Sequence, residues 1–329
     1  MYGLIMKKRE AINWNRITDG ISKTFWDQNI RQFWVDEEIS LTEDKKTWTT
    51  LTDDEKEAYE KVLAGLTLLD TEQGGVGMPQ ILQYVDNLHA KAVLTFMAAM
   101  EQMHAKSYST IFSTLSPTER IDELFEWVKE NDALQNKANV IVDLYKKLDK
   151  DSTQEDLYKA MVASTMLETY LFYSGFFYPL WFAGQSKLIG SGEIINLIIR
   201  DESIHGVFVG LLSQDILASF DGEKREELKK WTIDLMLELF EHEKAYTQDI
   251  YGKVGLIDEV TTFVKYNADK ALMNLGYEPY WNIKETDVNP IIINGLDTET
   301  KTHDFFSTKG NGYIKTTKHD DLGDEDFDW

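Results

Sequence analysis

The chain carries Glu-x-x-His twice, as Glu101/His104 in AAMEQMHAKSYS and Glu202/His205 in IIRDESIHGVF, each inside a segment with helical apolar spacing. Residues three apart share one face of a helix, so each pair offers a carboxylate and an imidazole to one point. Two such faces turned toward each other make a donor set for a pair of metal ions. Chance alone supplies roughly half of one such pair in a chain with 28 Glu and 6 His among 329 residues. Asp86/His89 in QYVDNLHAK shows how readily an acidic-x-x-His pair arises. The two Glu pairs differ from it in their surroundings: Leu94, Met97 and Met103 flank the first, and Ile194, Leu197, Ile198, Val207 and Phe208 the second. A solvated helix face is the competing explanation of the spacing. Ionised groups inside apolar stretches are costly, however, unless they are paired or bind a metal.

A two-metal site in a helical bundle needs one further carboxylate from each of two more helices. Asp70, in VLAGLTLLDTEQ, follows Val62, Leu66 and Leu69 on one face, and Glu168 is the only acidic residue between Asp156 and Glu193. Asp70, Glu101/His104, Glu168 and Glu202/His205 then supply four carboxylates and two imidazoles from four helices. Four carboxylates balance two divalent cations, which makes a buried cluster of this kind affordable. Tyr108 lies four residues after His104, on the same face. A tyrosine so placed is usually a packed aromatic with its hydroxyl bonded. Beside an oxygen-activating cluster it could instead be oxidised to a radical, which lasts only in a dry, unreactive pocket. Phe172, Phe176 and Ile198 fall at helical spacing from Glu168 and Glu202 and could line that pocket, or serve as ordinary core.

The elements that must position these residues are helical. The chain has five prolines, and the apolar spacing is mostly helical between Thr52 and about Asn274. Thr52 with Glu55, Ser116 with Pro117 and Glu119, and Ser152 with Glu155 read as helix starts of the capping-box type. No strand–helix alternation appears. Gly74-Gly75-Val76-Gly77 lacks the GxGxxG spacing and follows a helical run, so it reads as a helix break rather than a phosphate loop. Residues 1–276 are expected to form a helical bundle domain and 277–329 a polar, flexible tail. Six of the last ten residues are acidic, and Phe327 and Trp329 sit among them, the form of a docking peptide.

Composition narrows the function. With 43% apolar residues the chain can bury a large core. A formal net charge of -23 disfavours nucleic acid as a partner, and no apolar run reaches the roughly 18 residues of a membrane span. The start, MYGLIMKKREAINWN, has no h-region of useful length, so a cytoplasmic location is expected. The chain has no cysteine, which excludes disulfides, thiolate ligands, iron–sulfur ligation and a cysteine nucleophile. Oxygen and imidazole ligands suit iron, manganese or zinc better than copper(I).

Asp70, Glu101-x-x-His104 with Tyr108, Glu168-Thr-Tyr-Leu-Phe172-Tyr-Ser-Gly-Phe176 and Asp201-Glu202-x-x-His205 together resemble the small, radical-generating β subunit of class I ribonucleotide reductase. The likeness runs from Gln32-Phe33-Trp34 to the tail. Short length, Val288-Asn289-Pro290, His303-Asp304-Phe305-Phe306 and the acidic aromatic end look most like class Ib. The resemblance implies an all-α, ferritin-like bundle with a dimetal site in its core. Asp70, Glu101, His104, Glu168, Glu202 and His205 would hold two iron or two manganese ions, and Tyr108 would carry a stable tyrosyl radical. Trp34, Asp201 and His104 would form the inner radical-transfer route, with Tyr313 of GNGYIK relaying the radical onward. All six ligand positions and the radical tyrosine are present, unlike in metal-free or tyrosine-less variants of the family.

The resemblance also implies partners: a homodimer, a large (α) subunit docked through the C-terminal tail, and a flavodoxin-like activase if manganese is used. Ribonucleotide reduction in the family starts from a cysteine thiyl radical, which a cysteine-free chain cannot supply, so the oxidising equivalent must be exported. The alternatives are a stand-alone dimetal carboxylate oxidase, which would turn over its own substrate, and a ferritin-like metal protein.

Overall fold

Thr52 begins the first long helix as its spacing with Glu55 predicts: its hydroxyl accepts from Glu55 N at 3.2 Å, and Thr52 N donates to Glu55 Oε2 at 2.7 Å. The computed structural model describes residues 9–17 and 19–296. Among these residues there are thirteen α-helices and no strand, as the spacing predicts. In chain order they are α1 (Gly20–Arg31), α2 (Thr42–Trp48), α3 (Asp53–Glu72), α4 (Met78–Tyr84), α5 (Leu88–Leu115), α6 (Thr118–Glu130) and α7 (Asp132–Lys146). There follow α8 (Gln154–Met166), α9 (Tyr173–Ala183), α10 (Ile189–Ala218), α11 (Gly222–Tyr251), α12 (Ile257–Asn274) and α13 (Pro290–Leu296). The long α5 and α10 are central: α3 packs along α5, and α8 and α9 pack along α10.

Two expected helix starts shift. The capping box of α8 is made by Thr153 and Asp156, one residue beyond Ser152 and Glu155, because the Ser152 hydroxyl is engaged by Asp149 N in the preceding turn. At α6 the N-cap is Pro117, with no side-chain cap; the Ser116 hydroxyl instead donates to Glu60 Oε1 of α3 at 2.7 Å. The glycine cluster also differs from expectation. Residues 73–77 form a π turn that joins α3 to α4, so the helix is re-phased there rather than broken. A second π turn, Leu167–Leu171, joins α8 to α9.

Residues beyond 276 pack on the bundle as far as they are described. Asp269 accepts backbone N–H groups from Tyr280, Trp281 and Ile283, and the Tyr277 and Tyr158 hydroxyls meet at 2.7 Å. α13 lies so close to α9 that a Cβ on Gly184 would come within 2.0 Å of the Ile291 carbonyl oxygen. Tyr313, the 303–306 segment and the acidic end lie outside the described residues.

α7 and α11 are joined through the core by an ion pair. Lys137 Nζ lies 2.5 Å from Glu243 Oε1, each side chain only 1% exposed, and 3.9 Å from the centre of the Tyr246 ring. Burial lowers the Lys137 pKa, and the Glu243 carboxylate opposes that shift. Removing one partner strands the other in a dry site. Glu243→Ala should therefore cost about 3–5 kcal/mol of unfolding free energy by urea denaturation. The paired change Lys137→Met with Glu243→Leu should restore the midpoint, and an unaltered midpoint in Glu243→Ala would contradict this account.

Candidate metal centre

Each element brings its donors to the centre for a local reason. Asp70 lies in the last turn of α3, just before the first π turn, and Glu168 stands inside the second. Glu101 and His104 share one face of α5, and Glu202 and His205 one face of α10. All six side chains are completely buried.

Two overlapping groups result, Asp70/Glu101/His104/Glu202 and Glu101/Glu168/Glu202/His205, and within each the donor atoms lie within 4.8 Å of one another. Glu101 and Glu202 belong to both. Glu101 directs Oε1 to His205 Nδ1 at 2.7 Å and Oε2 to His104 Nδ1 at 3.4 Å. Glu202 directs Oε1 to His104 Nδ1 at 2.8 Å and Oε2 to His205 Nδ1 at 3.6 Å. Each of these carboxylates thus spans both groups.

The donor set fits a pair of cations. Both oxygens of Asp70, Glu101 and Glu202, Oε2 of Glu168, Nδ1 of His104 and both ring nitrogens of His205 are buried without a well-formed hydrogen bond. Buried polar atoms left in that state are costly unless a metal satisfies them. Without a cation, protons do the balancing. Burial, reinforced by nearby carboxylates, pushes Asp70 and Glu202 well above the usual carboxylate range. Burial disfavours charge on Glu101 too, but the imidazoles of His205 and His104 outweigh it and bring Glu101 down to about 2. Burial likewise opposes the imidazolium of His104, yet Asp201 and Glu101 lift its pKa to about 10.

Beyond the donors, the structure brings Trp34 and Asp201, both singled out in the sequence, against His104. Asp201 Oδ2 accepts from Trp34 Nε1 at 2.7 Å and lies 3.2 Å from His104 Nε2, while the Trp34 and His104 rings stack with centroids 6.2 Å apart. His104 therefore has one nitrogen toward the carboxylate cluster and the other toward Asp201. Tyr108 is fully buried, and its hydroxyl has no well-formed hydrogen bond. Burial raises its pKa well above the ordinary value, and the Asp70 carboxylate adds most among the charges. Phe172, Phe176 and Ile198 are fully buried in the same core. The Asp86/His89 pair stays apart from the centre: α5 begins only at Leu88, leaving Asp86 exposed, and His89 packs on Trp14.

Four supporting residues were not singled out from the sequence. Gln32 Nε2 donates to Asp201 Oδ1 at 2.8 Å, and Arg200 Nη2 donates to the Gln32 carbonyl at 2.6 Å. Gln73 donates to Glu168 Oε1 and accepts from the Tyr145 hydroxyl at 2.6 Å. Only adjacency hinted at the first two, since Gln32 precedes Trp34 by two residues and Arg200 precedes Asp201 by one.

The family described as "Ribonucleotide reductase, small chain" matches residues 11–290. The chain belongs to the ribonucleotide reductase small-chain family. It is 57% identical over 319 residues to the ribonucleoside-diphosphate reductase subunit beta of Bacillus subtilis, covering 97% of this chain and 96% of the relative. The subunit beta nrdF2 of Mycobacterium tuberculosis is 44% identical, with 94% of each chain covered. Among solved structures, the Streptococcus sanguinis dimanganese(II)-NrdF superposes with a TM-score of 0.84 at 45% identity, covering 88% of this chain and all of that one. These relatives place it with the class Ib small subunits of ribonucleoside-diphosphate reductase. In this small chain the buried carboxylate–histidine cluster is a dimetal centre.

Asp70, Glu202, His104 and His205 all have raised pKa values and hold protons when no metal balances the cluster. Binding a cation must displace those protons, so affinity rises with pH. Calorimetric titration with Mn(II) from about pH 6 to 8 should show tightening affinity and net proton release, read from the buffer dependence of the heat. Affinity that is flat or falls over that range would contradict the assignment of protons.

Proposed function

We propose that this chain assembles a dimetal–tyrosyl radical cofactor and passes the radical to a large subunit, which reduces ribonucleoside diphosphates. Asp70, Glu101, His104, Glu168, Glu202 and His205 would hold two manganese or two iron ions, with Glu101 and Glu202 common to both. The observation that carries the reading is the placement of Tyr108: a buried phenol beside Asp70, without a well-formed hydrogen bond, on the helix that also bears Glu101 and His104. The metal pair, once bound and supplied with an oxygen-derived oxidant, would provide the oxidising power. The chain does the rest.

Burial keeps the proton on Tyr108 Oη until an electron is removed, because the phenolate is disfavoured in a dry site beside carboxylates. The fully buried Phe172, Phe176 and Ile198 would exclude water and reactive groups from the oxidised ring. Asp201 holds His104 Nε2 and Trp34 Nε1 at one oxygen, and so offers a fixed route from the centre toward the surface. Tyr313 would extend that route, and the acidic tail with Phe327 and Trp329 would dock the large subunit. Manganese loading is favoured by the likeness to the dimanganese(II) protein of Streptococcus sanguinis, and a flavodoxin-like activase would then deliver the oxidant. A homodimer in the cytoplasm completes the proposal; no described helix is long and apolar enough to cross a membrane.

Tyr108→Phe should keep both metals and lose the sharp visible absorption and the paramagnetic signal of the activated protein; persistence of that signal would sink the assignment. Removing residues after about Gly312 should abolish ribonucleotide reduction with the large subunit but spare metal and radical. Full activity in the shortened chain would refute the docking role of the tail.

A further inference from the structure

We propose that Gln73 is a positioning residue that restricts Glu168 to a single metal-binding oxygen; this rests on Glu168 being a ligand. The two residues stand in the two π turns and meet directly. Gln73 Nε2 donates to Glu168 Oε1, and donates also to Ser164 Oγ at 2.8 Å. Glu168 Oε2 has no hydrogen bond and lies 3.6 Å from His205 Nδ1, within the second donor group. One oxygen is thus occupied by an amide and the other is free.

The orientation of the amide is determined by its neighbours. A carboxylate that holds a metal ion only accepts hydrogen bonds, so the atom of Gln73 that meets Glu168 is the NH2 group. The amide oxygen then faces Tyr145, whose hydroxyl donates to it at 2.6 Å. Gln73, Ser164 and Tyr145 are completely buried, so no bulk water competes for these bonds. Gly77 makes the arrangement possible: a Cβ there would come within 2.5 Å of Gln73 Oε1 and 2.6 Å of the Tyr145 ring. Gly74 does the same for the neighbouring ligand, since a Cβ there would lie 2.7 Å from Glu101 Cβ. The glycine cluster therefore serves close packing at the centre.

A carboxylate held to one oxygen fills one coordination position; a chelating carboxylate fills two. Holding Glu168 through Gln73 would therefore leave one more coordination position for another ligand than a chelating Glu168 would.

The test uses the full chain loaded with Mn(II), without oxidant, and reads the binding mode of Glu168 by crystal structure and carboxylate infrared bands. In the parent one Glu168 oxygen should bind. In Gln73→Leu both should bind, with a narrower separation of the asymmetric and symmetric stretches, while the manganese content stays at two per chain. Tyr145→Phe, a milder change, frees the amide to turn and should give a mixture of the two modes; it carries the test if Gln73→Leu does not fold. A chelating Glu168 in the parent, or a one-oxygen Glu168 in every variant that folds, overturns the proposal. Glu168→Ala should lose one manganese per chain. If it binds two as tightly as the parent, Glu168 is not a ligand and the underlying metal reading fails as well.

Discussion

Four carboxylates and two imidazoles sit fully buried in the middle of this bundle, and nothing else among the described residues demands so much of its surroundings. Like charges at this separation in a dry interior repel strongly and lack the water that would stabilise them. Such a cluster persists only if cations or protons neutralise it. The raised pKa values of Asp70, Glu202 and both histidines show the proton-balanced condition, and the unpaired donor atoms show where cations would replace those protons. The long helices α5 and α10 hold two donors each at helical spacing, and their apolar faces exclude water from the space between.

The two π turns solve a geometrical problem that a regular helix cannot. An α-helix places side chains at a fixed angular step, and a π turn inserts one extra residue and so changes that phase. At Leu167–Leu171 the change occurs where Glu168 must enter the cluster, and at Gln73–Gly77 it occurs beside Glu101. Glycine is needed at positions 74 and 77 of the Gln73–Gly77 turn because α5 and α7 approach there with no room for a Cβ. Gln73 links the turns directly through Glu168, so the phase of each is tied to the other.

Asp201 connects this interior to the segment that bears Trp34. A single carboxylate oxygen receives Trp34 and faces His104, and its other oxygen receives Gln32. Hydrogen bonding to His104, with Arg200 nearby, keeps Asp201 ionised despite its burial. The segment bearing Trp34 is secured separately, through Asp36 to Lys106 and Thr110 of α5. The helix that supplies Glu101, His104 and Tyr108 thus also anchors the residue that would carry an oxidising equivalent outward.

Helical class and the six donors could be read from the sequence because both depend on local regularity. Residues i and i+3 share a face whatever else the chain does, so Glu101/His104 and Glu202/His205 were visible as pairs, and Asp70 and Glu168 stood out as charges in apolar runs. Tyr108 stood out by its spacing from His104, whereas Trp34, Asp201 and Tyr313 needed the family resemblance to gain meaning, since one aromatic or acidic residue has no local signature of a role. The sequence did not reveal that Glu101 and Glu202 span both donor groups, that the glycine cluster is a π turn, or that Gln73 and Tyr145 govern Glu168. Those features depend on residues 72 to 104 positions apart in the chain meeting side by side. Helical spacing determines which face a side chain occupies, but only tertiary packing determines what stands opposite it.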